Sequence, residues 1–187
     1  MRLVRLLTAA PLCLAVTAAA AGELDINLSN DTVRLGLSQQ LTPTGLEAGA
    51  HFLHHQDNGN VGGLELHLVD DAAPGRGALD VGVGARGYLY DGDDDEADGG
   101  GMGVGGKFRW TWPTHNRIGF GGFVYYAPPV VAFDDIDSLV DAGVRLEYLV
   151  LRRAGVYVGY RHLEVELENG DDETFDSGAN VGFRLEF

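Results

Sequence analysis

Ala179-Asn180-Val181-Gly182-Phe183-Arg184-Leu185-Glu186-Phe187 alternates without a miss to the end of the chain. Ala179, Val181, Phe183, Leu185 and Phe187 share one face of a strand; Asn180, Gly182, Arg184 and Glu186 share the other. Chain ends of water-soluble domains usually fray. An aromatic end after strict alternation points instead to a strand that closes a barrel in a bilayer. Phe183, Leu185 and Phe187 then face lipid and form the expected signal for the machinery that assembles such barrels.

The other end of the chain fits that destination. Met1 to Arg5 is a short basic head, Leu6 to Val16 an apolar run, and Ala18 to Ala21 a set of small residues. This is the layout of a cleaved secretory leader, with cleavage expected after Ala21. The apolar run is too short to span about 30 Å of hydrocarbon as a helix. Cys13, the one cysteine, lies inside the leader without a lipoprotein box around it, so the mature chain has no disulfide framework. Removing Arg2 and Arg5 makes the formal charge of −15 more negative by two. An acidic chain of this kind does not bind nucleic acid through a basic patch.

Residues 22–187 read as one domain, because alternating segments recur throughout with turn-rich clusters between them. Glu23 to Ser29, Thr32 to Ser38, Leu46 to His55, Gly62 to Val69, Ala78 to Tyr90, Met102 to Trp112, Arg117 to Ala127 and Leu139 to Val150 each place apolar residues on one face. Val156 to Leu167 starts in the same way. Its apolar parity then shifts at Leu163, Val165 and Leu167, which reads as a bulge near Arg161-His162 or as a strand leaving the membrane. Short, moderately polar turns (Thr42–Gly45, Asp70–Gly77, Pro113–Asn116, Leu151–Gly155) alternate with acidic loops (Gln56–Asn60, Asp91–Gly101, Pro128–Asp137, Glu168–Gly178). Outer-membrane barrels have short periplasmic turns and longer outer loops. The fold expected is an all-β, antiparallel, up-and-down transmembrane barrel of ten strands, or of eight if the hairpin at Asn30-Asp31 is not part of the wall.

Trp110, Trp112, Tyr126 and Tyr148 suit the aromatic girdles of such a barrel. By parity Arg34, Glu47, Glu65, Asp80, Arg86, Lys107, Arg109, Arg117, Asp141, Arg145, Glu147, Arg184 and Glu186 point into the lumen. In so narrow a space opposite charges are expected to pair, since an uncompensated buried charge costs several kcal/mol.

Val104-Gly105-Gly106-Lys107-Phe108-Arg109-Trp110, then Phe123-Val124-Tyr125-Tyr126-Ala127-Pro128, then Val158-Gly159-Tyr160-Arg161 occur in order. Together they resemble the YfaZ family of small outer-membrane proteins, over residues 100 to 187. The resemblance implies an outer-membrane β-barrel. It brings no catalytic residues.

Chemistry is scarce. His51, His54 and His55 do not make a metal site on one strand, because residues four apart lie about 13 Å from each other. Asp91, Asp93 and Asp95 imitate the start of a calcium loop, but Glu96 and Met102 occupy the positions of its glycine and its bidentate glutamate. No metal and no cofactor is expected. A rim hydrolase would draw on His54, His55, Asp57 and the carboxylates after Asp91, but no serine beside them stands in a nucleophile motif. A secreted β-sandwich shares the alternation without the aromatic girdles. The expected protein is therefore a monomeric, non-enzymatic barrel of structural or interaction role, with a narrow pore for ions or small polar solutes as the second reading. Its expected partners are outer-membrane lipid, lipopolysaccharide and the assembly machinery.

Overall fold

In the computed structural model ten antiparallel strands close into a barrel. The structure describes residues 21–73, 78–92, 98–167 and 172–187. The leader up to residue 20, the turn at 74–77, Asp93 and Asp95, and the loop at 168–171 lie outside the described residues.

The wall comprises β1 (Gly22–Leu28), β2 (Thr32–Gln40), β3 (Leu46–His55), β4 (Gly59–Asp71), β5 (Ala78–Asp91), β6 (Asp98–Thr111), β7 (Ile118–Ala127), β9 (Ile136–Leu151), β10 (Ala154–Leu167) and β11 (Asp172–Glu186). A three-residue strand, β8 (Ala132–Asp134), pairs with Gly99 to Gly101 of β6, beyond the point where β7 leaves it. It continues the line of β7 and adds no position to the ring. The barrel closes where β1 meets β11, with Glu23 opposite Glu186 and Leu28 opposite Val181. Gly22 N–H donates to the Phe187 carbonyl at 3.0 Å, and Phe187 N–H returns the bond to Gly22 at 2.9 Å. In hydrocarbon every backbone N–H and C=O needs a partner, and a closed sheet provides one without a helix. No helix among the described residues is long and apolar enough to cross a membrane.

The hairpin at Asn30-Asp31 belongs to the wall: Ser29 N–H bonds the Thr32 carbonyl at 2.9 Å, and β1 pairs along β2. Gly22 and Phe187 lie at the end that carries the turns after β2, β4, β6 and β9. That end is periplasmic by the general rule for these barrels.

Three acidic loops are shorter than the sequence reading placed them. β6 takes in Gly99 to Gly101, β11 begins at Asp172, and the stretch 128–137 contains a 3-10 turn (Pro129–Val131) and β8. Several strands run to 13–16 residues, more than the roughly 9–11 that cross a bilayer. The surplus projects from the outer end. Glycine makes this possible at Gly100, where a Cβ would lie 2.5 Å from both the Phe133 ring and the Tyr88 carbonyl oxygen.

Two expectations need correction. β10 has no bulge at Arg161-His162, and its inward face runs unbroken through Tyr157, Arg161, Leu163 and Val165. The apparent slip arose because the lumen itself turns apolar near the outer end, so Leu163 and Val165 point inward. The irregularity lies across the ladder, where Leu163 pairs with Asp176 and Glu164 with Thr174, leaving Phe175 as the extra residue. Arg117 is not a lumen residue. It is exposed in the turn before β7, where parity no longer fixes direction.

Gly182 faces the lumen beneath Tyr157, and a Cβ there would lie 2.1 Å from the tyrosine Cζ. Gly182→Leu is expected to lower the stability of the refolded barrel by about 1–3 kcal/mol through overpacking. Gly178→Leu, where nothing lies within 4 Å of a Cβ, should stay near wild type. Urea midpoints of the two variants in detergent check this.

Candidate functional site

Inward positions from neighbouring strands meet in three layers along the lumen. The middle layer centres on Asp141 of β9, fully buried. Its Oδ2 accepts hydrogen bonds from Arg86 Nη1 at 2.8 Å and Tyr88 Oη at 3.1 Å, and its Oδ1 accepts one from Arg161 Nε at 3.1 Å. Arg86 also donates from Nε to Glu65 Oε2 at 2.9 Å, and its Nη2 lies 2.8 Å from the same oxygen. Its guanidinium carbon stands 4.1 Å from the centre of the Tyr125 ring and 5.1 Å from that of Phe123. Planar arginine suits such a position, taking carboxylates in its plane and an aromatic ring on its face.

The periplasmic layer centres on Glu147, flanked by Arg145 at 2.8 Å, Arg184 at 3.1 Å and Arg109 at 3.3 Å. Arg184 reaches Glu23 at 3.2 Å, and Arg109 reaches Glu186 at 3.0 Å. Arg145 extends to Asp25 at 3.0 Å, which also accepts from Tyr157 Oη at 2.8 Å and lies 3.8 Å from Arg34. Asn27 donates to Tyr157 and to Asn180. Lys107 pairs with Glu47, and Asp80 stands opposite Arg109 in the β5–β6 register.

The outer layer is mostly apolar, with Thr32, Ser138 and Asp176 also buried at its level. Leu53, Val61, Tyr88, Tyr90, Tyr125, Ala127, Ile136, Leu139, Leu163, Val165 and Phe175 pack as one buried cluster across the barrel. The rings of Tyr90 and Phe175 meet edge to face at 5.2 Å. Below the cluster the lumen holds a cavity of about 230 Å³ lined by the charged layers. A second space of about 650 Å³, at the end bearing the termini, shares Glu23, Ser38, Glu47, Val69 and Asp80 with it. Both spaces lie on the side of the apolar cluster that faces the end bearing Gly22 and Phe187.

Of the thirteen charged positions that face inward by parity, all but Arg117 line this lumen or its mouth. Parity placed Tyr88 inward with Arg86, and it did not single out Glu23, Asp25, Arg161, Tyr125 or Tyr157 among them. Asp25 and Arg161 stand on the polar face of their own alternations, so the signal was present. Arg161 was obscured by the apparent slip after it.

The histidines separate. His51 and His67 are buried in the lumen, with His51 edge-on to Tyr88 and His67 Nε2 2.7 Å from Tyr125 Oη. His54 is exposed and contacts Asn60 Oδ1 at 3.0 Å. His55 accepts the N–H groups of Asp57 and Asn58 at 3.0 Å, which ties it to the β3–β4 turn. Donor atoms of Glu47, Glu65 and His67 lie within 4.8 Å of one another. The Lys107 ammonium and the Arg86 guanidinium already balance those carboxylates, which makes the group part of the ion-pair network. Asp91 is exposed at the end of β5.

The family model described as YfaZ precursor matches residues 1–187. "Outer membrane protein YfaZ" of Escherichia coli (strain K12) is 27% identical over 154 residues, which are 82% of this chain and 81% of that protein. Among solved structures, "KdgM porin in complex with disordered oligogalacturonate" is similar at a TM-score of 0.46 and 12% identity, covering 89% of this chain and 99% of that one. The outer membrane channel DcaP of Acinetobacter baumannii is similar at a TM-score of 0.44 and 11% identity, covering 92% of this chain and 55% of that one.

The depth of the two kinds of ion pair separates their effects. Arg86→Leu strands the buried Asp141 and Glu65 and is expected to cost about 3–5 kcal/mol. Lys107→Met breaks a pair whose cation is still 29% exposed and is expected to cost no more than about 1 kcal/mol. Equilibrium unfolding in urea of both variants, refolded into vesicles, checks the ranking.

Proposed function

Because this chain belongs to the YfaZ family and is an outer-membrane β-barrel protein, we propose that it serves as a non-conducting structural and interaction element of that membrane. The observation that carries this reading is the apolar cluster across the outer end of the lumen. Water and ions entering from the periplasmic mouth meet Leu53, Leu139, Leu163 and Phe175 beyond the charged layers. A contact of that kind excludes water at the packing density of a protein interior. The lumen itself does no chemistry: its central carboxylates are engaged by guanidinium groups and act as struts between strands.

The partners are outer-membrane lipid and lipopolysaccharide against the outward apolar faces, and the monomer is the working unit. The assembly machinery reads the terminal strand, whose Phe183, Leu185 and Phe187 all point outward and remain partly exposed. Support for that role is their position on the last strand, at the closing seam.

Planar bilayer recordings test the closed lumen. The wild-type barrel should give no stepwise conductance, and the triple variant Leu53→Ala, Leu163→Ala, Phe175→Ala should give it. Steps from the wild type would assign the narrow pore instead. Deleting Phe187 tests the terminal strand. Assembly in cells should fall severalfold while refolding in detergent persists; equal loss in both would assign Phe187 to the seam bonds with Gly22 alone.

A further inference from the structure

We propose that the exterior of the barrel carries an acyl-ester hydrolase site in which Ser177 is the nucleophile, His162 its base and Glu164 the residue that orients the imidazole. It goes beyond the role assigned to the lumen and uses none of the lumen's residues.

His162 and Ser177 stand directly opposite each other in the β10–β11 register, and Glu164 follows His162 two residues on. All three therefore project from the same, outward face. Ser177 Oγ lies 3.4 Å from His162 Nδ1, and His162 Nε2 lies 3.3 Å from Glu164 Oε2. One imidazole thus bridges a hydroxyl and a carboxylate through its two nitrogens, the arrangement a serine nucleophile needs. Glu164 accepts from Nε2–H, which leaves the Nδ1 lone pair facing the Ser177 hydroxyl. Tyr160 Oη stands 2.9 Å from Ser177 Oγ and supplies a donor for a developing oxyanion.

Position selects the substrate class. The outward face of β10 reads Val156, Val158 and Tyr160 from the periplasmic side, then His162 and Glu164. The outward face of β11 reads Phe183, Val181 and Ala179, then Ser177. The change from apolar to polar falls at Tyr160, a side chain that favours the membrane interface. Ser177 therefore sits one step above the lipid-facing band, on the outer leaflet side. An acyl chain lying along Val158 and Val181, which are 57% and 55% exposed, brings its ester carbonyl to that height. The ligand is an acyl ester of an outer-leaflet lipid, whether glycerol-linked or saccharide-linked.

The step balances with water alone. Ser177 Oγ bonds to the ester carbonyl carbon while His162 Nδ1 takes the hydroxyl proton. Tyr160 donates to the oxyanion. Collapse breaks the bond to the leaving alkoxide, which receives the proton from His162. Water then gives a proton to His162 and attacks the acyl-serine, releasing the fatty acid and restoring Ser177.

The test uses the full chain, refolded and verified by its heat-dependent gel shift, in vesicles containing either phospholipid or lipopolysaccharide. A fluorophosphonate probe should add once per barrel at Ser177, and fatty acid should appear from one of the two lipids, which identifies the source. Ser177→Ala should abolish both signals, and His162→Ala should slow them about 100-fold or more. Glu164→Gln should lower the rate and change its pH profile, with Glu164→Asp restoring much of it. These substitutions are on the exterior and should preserve the gel shift. Absence of labelling and of fatty-acid release in a folded wild-type barrel overturns the proposal, as does a Ser177→Ala barrel that retains either signal. A channel recording from the same vesicles separates this outcome from the failure of the closed-lumen reading.

Discussion

A sheet that crosses hydrocarbon leaves no backbone N–H or C=O unpaired, and everything else in this barrel follows from meeting that demand with ten strands. Closure at the β1–β11 seam turns one face of every strand toward a narrow interior. A charge on that face has little water to solvate it and must find its opposite on another strand. Asp141 is the extreme case, with Arg86 arriving from β5, Arg161 from β10 and Tyr88 adding a hydroxyl from β5. Removing one cation leaves a buried carboxylate under-compensated, whereas pairs near the mouth keep water as a substitute. The ion pairs are thus a consequence of closure, and they also fix which strands lie across the lumen from each other.

Lipid imposes alternation on the wall, so the wall was legible from residues alone. The end of the chain and the inward charges follow from a period of two, and the alternation of loop kinds from an up-and-down path between the two sides of the membrane. Parity reports which face a residue takes, however, and says nothing of its depth. Arg117 keeps the right parity but stands in a turn. Leu163 and Val165 look like lipid contacts that have slipped, because an apolar side chain reads the same whether it faces hydrocarbon or a plug. Phe175 is hidden for a further reason: a bulge shows only when its partner strand is known. The partners of each arginine were likewise beyond reach, since register across the lumen depends on closure.

The interior is asymmetric along its axis. Charges crowd the periplasmic and middle layers, and apolar side chains fill the outer one. Mixed charges hydrate where the lumen opens, near Glu23, Asp80 and Glu186. Where the strands project beyond the bilayer on the outer side, water lies outside the barrel as well. An apolar cluster there gains the burial that a lipid-facing position cannot offer, since lipid tails are as apolar as the side chains themselves. The strand extensions that shorten the acidic loops therefore serve to build the plug.

The same buried network reaches the exterior. Arg161 and His162 are adjacent on β10, one inward and one outward; Asp176 and Ser177 are adjacent on β11 in the same way. Arg161 bonds Asp141 at 3.1 Å and approaches Asp176 at 3.9 Å, while Thr32 donates to Asp176 at 3.4 Å. These contacts hold the backbone from which His162 and Ser177 project. A polar pair on a lone strand surface would drift by more than a hydrogen bond tolerates, and a constellation on rigid elements does not. Behind the outward imidazole and hydroxyl, Arg161 is bonded to the buried Asp141 and Asp176 to Thr32, so both strands are tied at the height from which the pair projects.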